Sequence, residues 1–423
     1  MKINKLYILG AFLFLFFSSC VDGINVDPNN PSTVPTTSLI TASEKLLVDN
    51  LRGEPVSLRG SMLFAQYFSQ NTYTVQSRYD ISFSSSDDYW AGLYKTLNVL
   101  DEVIKLNSNP DTKDVARANG AGRNATQIAI SRILKTYAFY GLTDVFGNIP
   151  YQSYGSNDPD FQALQQEPKN IVPVYASQEK INELKAAGDT LVKYSANNEK
   201  TFGGADIIYA GSNAKWAKLA NSLRLRFATR FKEIDNSLYK EHFAEALSKG
   251  VFTSNDDNAL FKYSSGSPNE APLYRATVTA NRTDFAVSKV FVDLLKGEYS
   301  ILPVSDPRLP IYASPASTTG TYVGLPYGLA NDQAGKFAAT GVSLPGGVIN
   351  AANYSEVLME YSEVAFLISE YNNWSQSDYR NGVKASLEKW GVKASDVDTY
   401  LNSLPAANEE NALTQKYIAL YTQ

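Results

Sequence analysis

Apolar residues recur along this chain at steps of three and four. Leu93, Leu97, Leu100 and Ile104 follow that spacing, as do Ile130, Ile133, Leu134, Tyr137 and Ala138. Trp216, Leu219, Ala220, Leu223 and Phe227 form a third set, and Val287, Val290, Phe291, Leu294 and Leu295 a fourth. Two more lie near the end: Val357, Tyr361, Val364, Ala365 and Ile368, then Tyr379, Val383, Leu387 and Trp390. A period near 3.6 lays each set along one face of an α-helix, wide enough to bury against a neighbouring helix. Strand-like alternation is scarce, so the spacing predicts an all-α body. Thr41-Ala42-Ser43-Glu44 has capping-box spacing and fits equally well inside a helix that begins near Ser38.

Long polar connections separate the helical stretches. Tyr151 to Tyr175 is rich in Pro, Asn, Gln and Ser; Ser264 to Thr283 and Leu302 to Gly347 are rich in Gly, Pro, Ser, Thr and Ala. In a compact helical protein, connections of this length carry local structure or function. No change of composition marks a second domain. The amino terminus is different. Lys2 and Lys5 precede an apolar run from Leu6 to Phe17, which ends in Ser18-Ser19-Cys20. That run is short for a membrane span and fits a secretory leader. The single cysteine of the chain at the cleavage position resembles a bacterial lipobox, although Ser19 and Phe17 depart from its commonest form. Residues 1–19 are thus expected to be a lipoprotein signal peptide and 20–37 a tether acylated at Cys20, kept extended by Pro28, Pro31 and Pro35. Residues 38–423 are expected to form one helical domain. With no cysteine left for a disulfide, that domain must be held together by burial, for which 423 residues and 44% hydrophobic content suffice. A net charge of −5 without a dense basic tract disfavours nucleic acid as a partner.

Several segments in order resemble the SusD/RagB family of Bacteroidota surface lipoproteins, in its shorter SusD-like branch. After the lipobox comes Val26-Asp27-Pro28-Asn29-Asn30-Pro31. The helix carrying Arg132 and Tyr137 runs into Phe146-Gly147-Asn148-Ile149-Pro150-Tyr151, similar to an FGD-[IV]-PY turn with Asn148 in place of aspartate. Trp216, Lys218, Ala220, Asn221, Leu223, Leu225 and Arg226 match a W-x-K-x-A-N-x-L-x-L-R helix. Asp306-Pro307-Arg308-Leu309, the stretch Tyr322 to Gly328, Glu363 to Glu370, Gly382 to Ser386 and Thr414-Gln415-Lys416-Tyr417 complete the series. The resemblance implies a scaffold of tetratricopeptide-like helix pairs with irregular loops over one face. It also implies an acyl-anchored outer-membrane protein, facing the cell surface, that binds oligosaccharide without chemistry and passes it to a TonB-dependent transporter of the SusC type. Capture of peptide or another nutrient on the same scaffold, or a helical-repeat surface that binds only protein, are the alternatives. Family members continue beyond the Thr414–Tyr417 helix, so this domain is expected to lack the usual C-terminal end.

The residues themselves speak against catalysis. His242, the only histidine, lies in a helical context, and a histidine-based metal site is excluded by count. No cofactor is implied. Asp256, Asp257 and Asn258 lack the alternation of a calcium loop. Glu356, Glu360 and Glu363 are expected along one side of a single helix, where two carboxyls cannot face each other across a glycosidic bond. Binding fares better. A neutral glycan site wants exposed rings as platforms, bordered by amide, carboxylate or guanidinium groups. Phe68 to Asp80 mixes these densely, with Asn71, Tyr73, Arg78 and Tyr79 the foremost candidates. Asn281, Arg282 and Asp284 come second, Tyr322 and Tyr327 third, and Trp374 at a helix end fourth. Trp216 and Trp390 are expected in the core, and Arg224, Arg226 and Arg230 as bridges between helices.

Overall fold

The computed structural model describes residues 34–82, 86–118, 121–150, 171–172 and 178–423. Cys20, the leader, most of the tether and most of the 151–175 connection lie outside these residues. From Thr36 to Gln423 the chain is one compact unit. From Thr36 to Lys249 the described residues hold six long helices: α1 (Thr36–Arg52), α2 (Asp87–Ser108), α3 (Asn124–Phe146), α4 (Gln178–Lys193), α5 (Asn213–Thr229) and α6 (Asn236–Lys249). Each packs on the next, α1 on α2 through to α5 on α6. The three- and four-step stripes are what they bury: Leu93, Leu97 and Leu100 from α2, Ile130 and Leu134 from α3, Trp216, Leu219 and Leu223 from α5 share one core. Burial of such faces, not helix propensity, supplies most of a helix's stability in a protein.

Arginines on α5 cross-link the layers. Arg224 meets Glu245 of α6 at 2.7 Å, and Arg230, just past α5, pairs with Asp144 of α3 at 2.6 and 2.8 Å. Arg226 makes a two-pronged bond to Glu363 at 2.7 and 2.6 Å and reaches the Tyr137 hydroxyl at 3.1 Å. Thr41 and Glu44 lie within α1, so the capping-box reading gives way to the other one. Thr41 donates to the carbonyl of Ala205 at 2.6 Å, and the buried Glu44 carboxylate accepts from the amide of Ile207 at 2.8 Å. Burial and the neighbouring Asp206 carboxyl hold Glu44 well above the usual carboxyl range.

The second half corrects two expectations. Among the described residues six short strands are present, three of them in the first half: β1 (Phe68–Gln70), β2 (Ile149–Pro150), β3 (Ile171–Val172), β4 (Ala259–Lys262), β5 (Phe285–Val287) and β6 (Ser355–Met359). They pair as three separate antiparallel ribbons, β1–β5, β2–β3 and β4–β6. Val287 therefore belongs to a strand, and only α7 (Lys289–Lys296) continues its apparent helical set. Val357 and Glu356 likewise sit on β6, ahead of α8 (Tyr361–Tyr371). The alternation of these strands is too short to announce itself in sequence. Glu356, Glu360 and Glu363 consequently do not share a helix face. Each is buried beside a cation: Arg52 at 3.7 Å, Lys389 at 2.5 Å and Arg226 at 2.6 Å respectively.

Three further helices, α9 (Gln376–Lys389), α10 (Ala394–Ser403) and α11 (Glu409–Ala419), close the body. Asp306 and Arg308 fasten them to the loops. Arg308 is wholly buried; its Nε and Nη2 donate to Asp306 at 2.9 and 2.6 Å. The same guanidinium reaches Ser386 of α9 at 2.9 Å and Gln415 of α11 at 2.8 Å, while Tyr400 of α10 donates to Asp306 at 2.7 Å. Phe68, Phe285, Phe291, Tyr312 and Tyr421 form the adjoining second core. The helices thus make an all-α scaffold with short ribbons under its loops.

Burial pushes the Glu356 carboxyl up to about 7, against the pull of Arg52 and Lys389 and with a smaller push from Asp49. A proton bound more tightly in the folded state stabilises it fully below the ordinary carboxyl range and less as pH rises toward 7. Glu356→Gln should remove this contribution, making the variant's unfolding free energy less pH-dependent than wild type by about 3 kcal/mol between pH 4.5 and 7. Parallel urea titrations at half-unit pH steps measure the difference; curves that stay parallel would show that Glu356 ionises normally.

Candidate ligand-binding site

Phe68, Ser69 and Gln70 of β1 pair with Val287, Ala286 and Phe285 of β5, and the Asn71 amide extends the ladder to the carbonyl of Asp284 at 3.2 Å. The Gly/Pro-rich loop adds a third layer to this floor. Leu325 donates to the carbonyl of Val287 at 2.9 Å and accepts from the amide of Lys289 at 2.8 Å. Ser69 Oγ donates to the carbonyl of Pro326 at 2.9 Å. Three candidate groups far apart in sequence, 71–79, 281–284 and 322–327, therefore meet at one place.

Their side chains have different fates. Tyr73 and Tyr79 stand out from the loop at 62% and 60% exposure, each with a left-handed backbone (φ 56° and 64°). Tyr79 stacks on Phe64 at 5.6 Å between centroids and meets Tyr327 at 6.4 Å with the rings tilted by 59°. Tyr327 and Tyr322 rest partly buried against the second core. Burial and the adjacent Tyr79 raise the Tyr327 phenol well above its ordinary value. Arg78 is exposed beside Tyr79, and Asn281 is exposed on a left-handed turn (φ 50°). Asn71 is buried beneath the loop, with its side-chain oxygen lacking a protein partner. Arg282 and Asp284 are engaged with each other at 3.0 and 2.6 Å; Arg282 also binds Glu54 at 2.6 Å, and Arg59 binds Glu54 at 2.8 Å. Trp374 lies elsewhere, after α8, packed on the core between α9 and α10 with the Lys232 ammonium 5.7 Å from its ring.

Phe64, Gln76, Arg59 and Glu54 border a cleft of about 800 Å³, completed by Ile81, Asp88 and Val145. That volume lies in the range of small-molecule sites. Sequence reasoning missed Phe64 and the cleft, while Gln76 lies within the Phe68–Asp80 stretch it nominated. The wall is the wide-turned helical segment Glu54–Ser61, which has no 3.6-residue stripe to detect, and Phe64 follows it on a single turn. The arrangement presents ring faces next to amide, carboxylate and guanidinium groups, which suits binding. His242 is buried on α6 with neither ring nitrogen partnered, and burial together with Arg224 keeps it below its ordinary value. Asp257 is held by Lys218 at 2.9 Å, and among the described residues no cluster of three His, Cys, Asp or Glu is placed to hold a metal. Among the same residues no helix is long and apolar enough to cross a membrane.

Comparison with known proteins agrees with the architecture. A family model described as "Starch-binding associating with outer membrane" matches residues 28–423, and this chain belongs to that SusD-like family. A SusD homologue from Parabacteroides distasonis superposes with a TM-score of 0.74 at 22% identity, covering 91% of this chain and 82% of that one. One from Bacteroides vulgatus gives 0.72 at 20%, covering 92% and 83%. A chitin-binding SusD homologue from Flavobacterium johnsoniae gives 0.70 at 21%, covering 91% and 84%. No curated protein matches the chain.

Gly324 seats the third layer of the floor. A Cβ there would lie 2.3 Å from Lys289 Cα and 2.7 Å from the carbonyl of Ser288, so the loop must lift to admit alanine. Gly324→Ala is expected to cost about 1–3 kcal/mol. Gly347→Ala, where nothing lies within 4 Å, is the control. Equal thermal midpoints for the two variants would mean that the loop is not held by this contact.

Proposed function

We propose that this protein is a non-catalytic lipoprotein that captures oligosaccharide at the Tyr73–Tyr79–Tyr327 platform and passes it to a TonB-dependent transporter of the SusC type. The observation that carries the reading is the exposed Tyr79 ring stacked on Phe64, which borders a cleft with polar walls, on a scaffold whose family is described as starch-binding and outer-membrane-associated. Tyrosine rings offer apolar faces to sugar C–H groups at low entropic cost, and Gln76 and Arg78 stand nearby to hydrogen-bond hydroxyls. Residues 1–19 would direct export, and acylation at Cys20 would anchor the protein to the outer membrane, facing the cell surface. Ile81 and Val145 give the cleft an apolar edge and favour peptide as the second ligand class to test.

Titration calorimetry of residues 21–423 against malto-oligosaccharides, chito-oligosaccharides and peptides tests the ligand, with reducing-end release followed in the same samples. Saturable sugar binding without product is expected. Tyr79→Ala should weaken it about fivefold and Tyr73→Ala somewhat less, since one ring contact is worth about 1 kcal/mol. Binding untouched by both substitutions would place the ligand elsewhere, and released sugar would overturn the non-catalytic reading. For the anchor, Cys20→Ala is expected to yield exported protein that no longer fractionates with the outer membrane; continued fractionation there would refute acylation as the attachment.

A further inference from the structure

A left-handed backbone is costly for tyrosine, whose Cβ crowds the neighbouring carbonyl, and such residues persist only where surrounding contacts impose them. The 71–80 loop has two of them, and both carry the platform rings. Two side chains outside the platform restrain this loop from opposite sides. Gln70 is almost completely buried on β1. Its Oε1 accepts from the amide of Ser77 at 3.2 Å, and its Nε2 donates to Gln76 Oε1 at 3.2 Å. One buried amide therefore holds the turn Gln76–Arg78, which ends at Tyr79. Asn331 begins a short turn of helix in the Gly/Pro-rich loop, and its Oδ1 accepts from the amide of Thr74 at 2.9 Å, immediately after Tyr73. Ser77 Oγ, donating to the carbonyl of Thr74 at 3.0 Å, links the two restraints. These bonds act on the loop and not on the rings.

We propose that Gln70 and Asn331 are positioning residues for the ligand: together they fix the loop that presents Tyr73 and Tyr79 before anything binds. This inference rests on the oligosaccharide-capture reading. Ordering a loop in advance spares the entropy that a mobile platform would lose on binding, so loosening it should weaken affinity while leaving every ring in place.

The test uses residues 21–423 with two probes, maltoheptaose and chitohexaose, and follows amide hydrogen exchange across 71–80 in the same variants. Asn331→Leu removes the acceptor for Thr74, whereas Asn331→Asp retains one. Gln70→Met keeps the bulk and removes both of its bonds. Asn331→Leu and Gln70→Met should speed exchange in 71–80 and weaken sugar binding about three- to tenfold, with Asn331→Asp close to wild type on both counts. Unchanged exchange in Asn331→Leu would overturn the proposal, as would faster exchange with full affinity, or a failure of Asn331→Asp to rescue. If Gln70→Met does not fold, the Asn331 pair decides alone. Should the wild type bind neither sugar, the capture reading fails for those ligands. The exchange data then still settle whether Asn331 fixes the loop.

Discussion

Asp306 and Arg308 form an ion pair from which water is excluded, and the second half of the molecule is arranged around it. Taking both charges out of water is expensive, and the pair is tolerable only because its remaining hydrogen-bonding capacity is filled. Ser386, Tyr400 and Gln415 do the filling, one from each of α9, α10 and α11. The loop that contains Arg308 continues at once into Leu309–Tyr312, and Tyr312 is a member of the second core on which the binding loops rest. Removing one partner would strand a buried charge, so the three closing helices and the floor of the site share a single fastening.

The charges nearer the site follow a related logic. Arg59 and Arg282 are divided between Glu54 and Asp284, and both guanidiniums lie over the ring of Phe285, at 5.6 and 6.0 Å. Arg282 and Asp284 thus stiffen the cleft wall under the loop instead of standing free to meet a ligand. The surfaces left available are ring faces, the amide of Gln76 and the exposed guanidinium of Arg78.

Much of the helical body was legible because a 3.6-residue period over four turns is a strong signal. The stripes through Leu93, Ile130, Trp216 and Tyr379 are core, apart from Ile104 and Trp390 at their ends, which are half-buried. The three arginines expected to bridge helices do so, each through a carboxylate on another helix. The signal failed where the chain changes conformation within a few residues. Val287 and Val357 continue a helical spacing by coincidence, yet they lie on strands three and five residues long. For the site, sequence could nominate aromatic and amide-rich loops one by one. It could not bring 71–79 against 322–327, because that contact depends on β1 and β5 finding each other and on Gly324 letting a third backbone approach. Phe64 was invisible for the same reason: its partner, Tyr79, is close only once the loop has turned back.

The ties that complete the second core reach across nearly the whole chain. Tyr67 donates to the carbonyl of Tyr417 at 2.5 Å and Tyr417 donates to that of Ala65 at 2.6 Å, across 350 and 352 residues of sequence. Contacts of such separation are slow to form, since the entropy of closing the intervening chain is lost before they repay it. The stack from α1 to α6 closes mainly through neighbours in sequence and has no such delay. A polypeptide emerging from its amino terminus would therefore build the scaffold first and the second core, with the loops that rest on it, last. A partly made chain would carry a nearly finished helical body, and the core beneath the 71–80 loop would stay incomplete until the segment around Tyr417 had arrived.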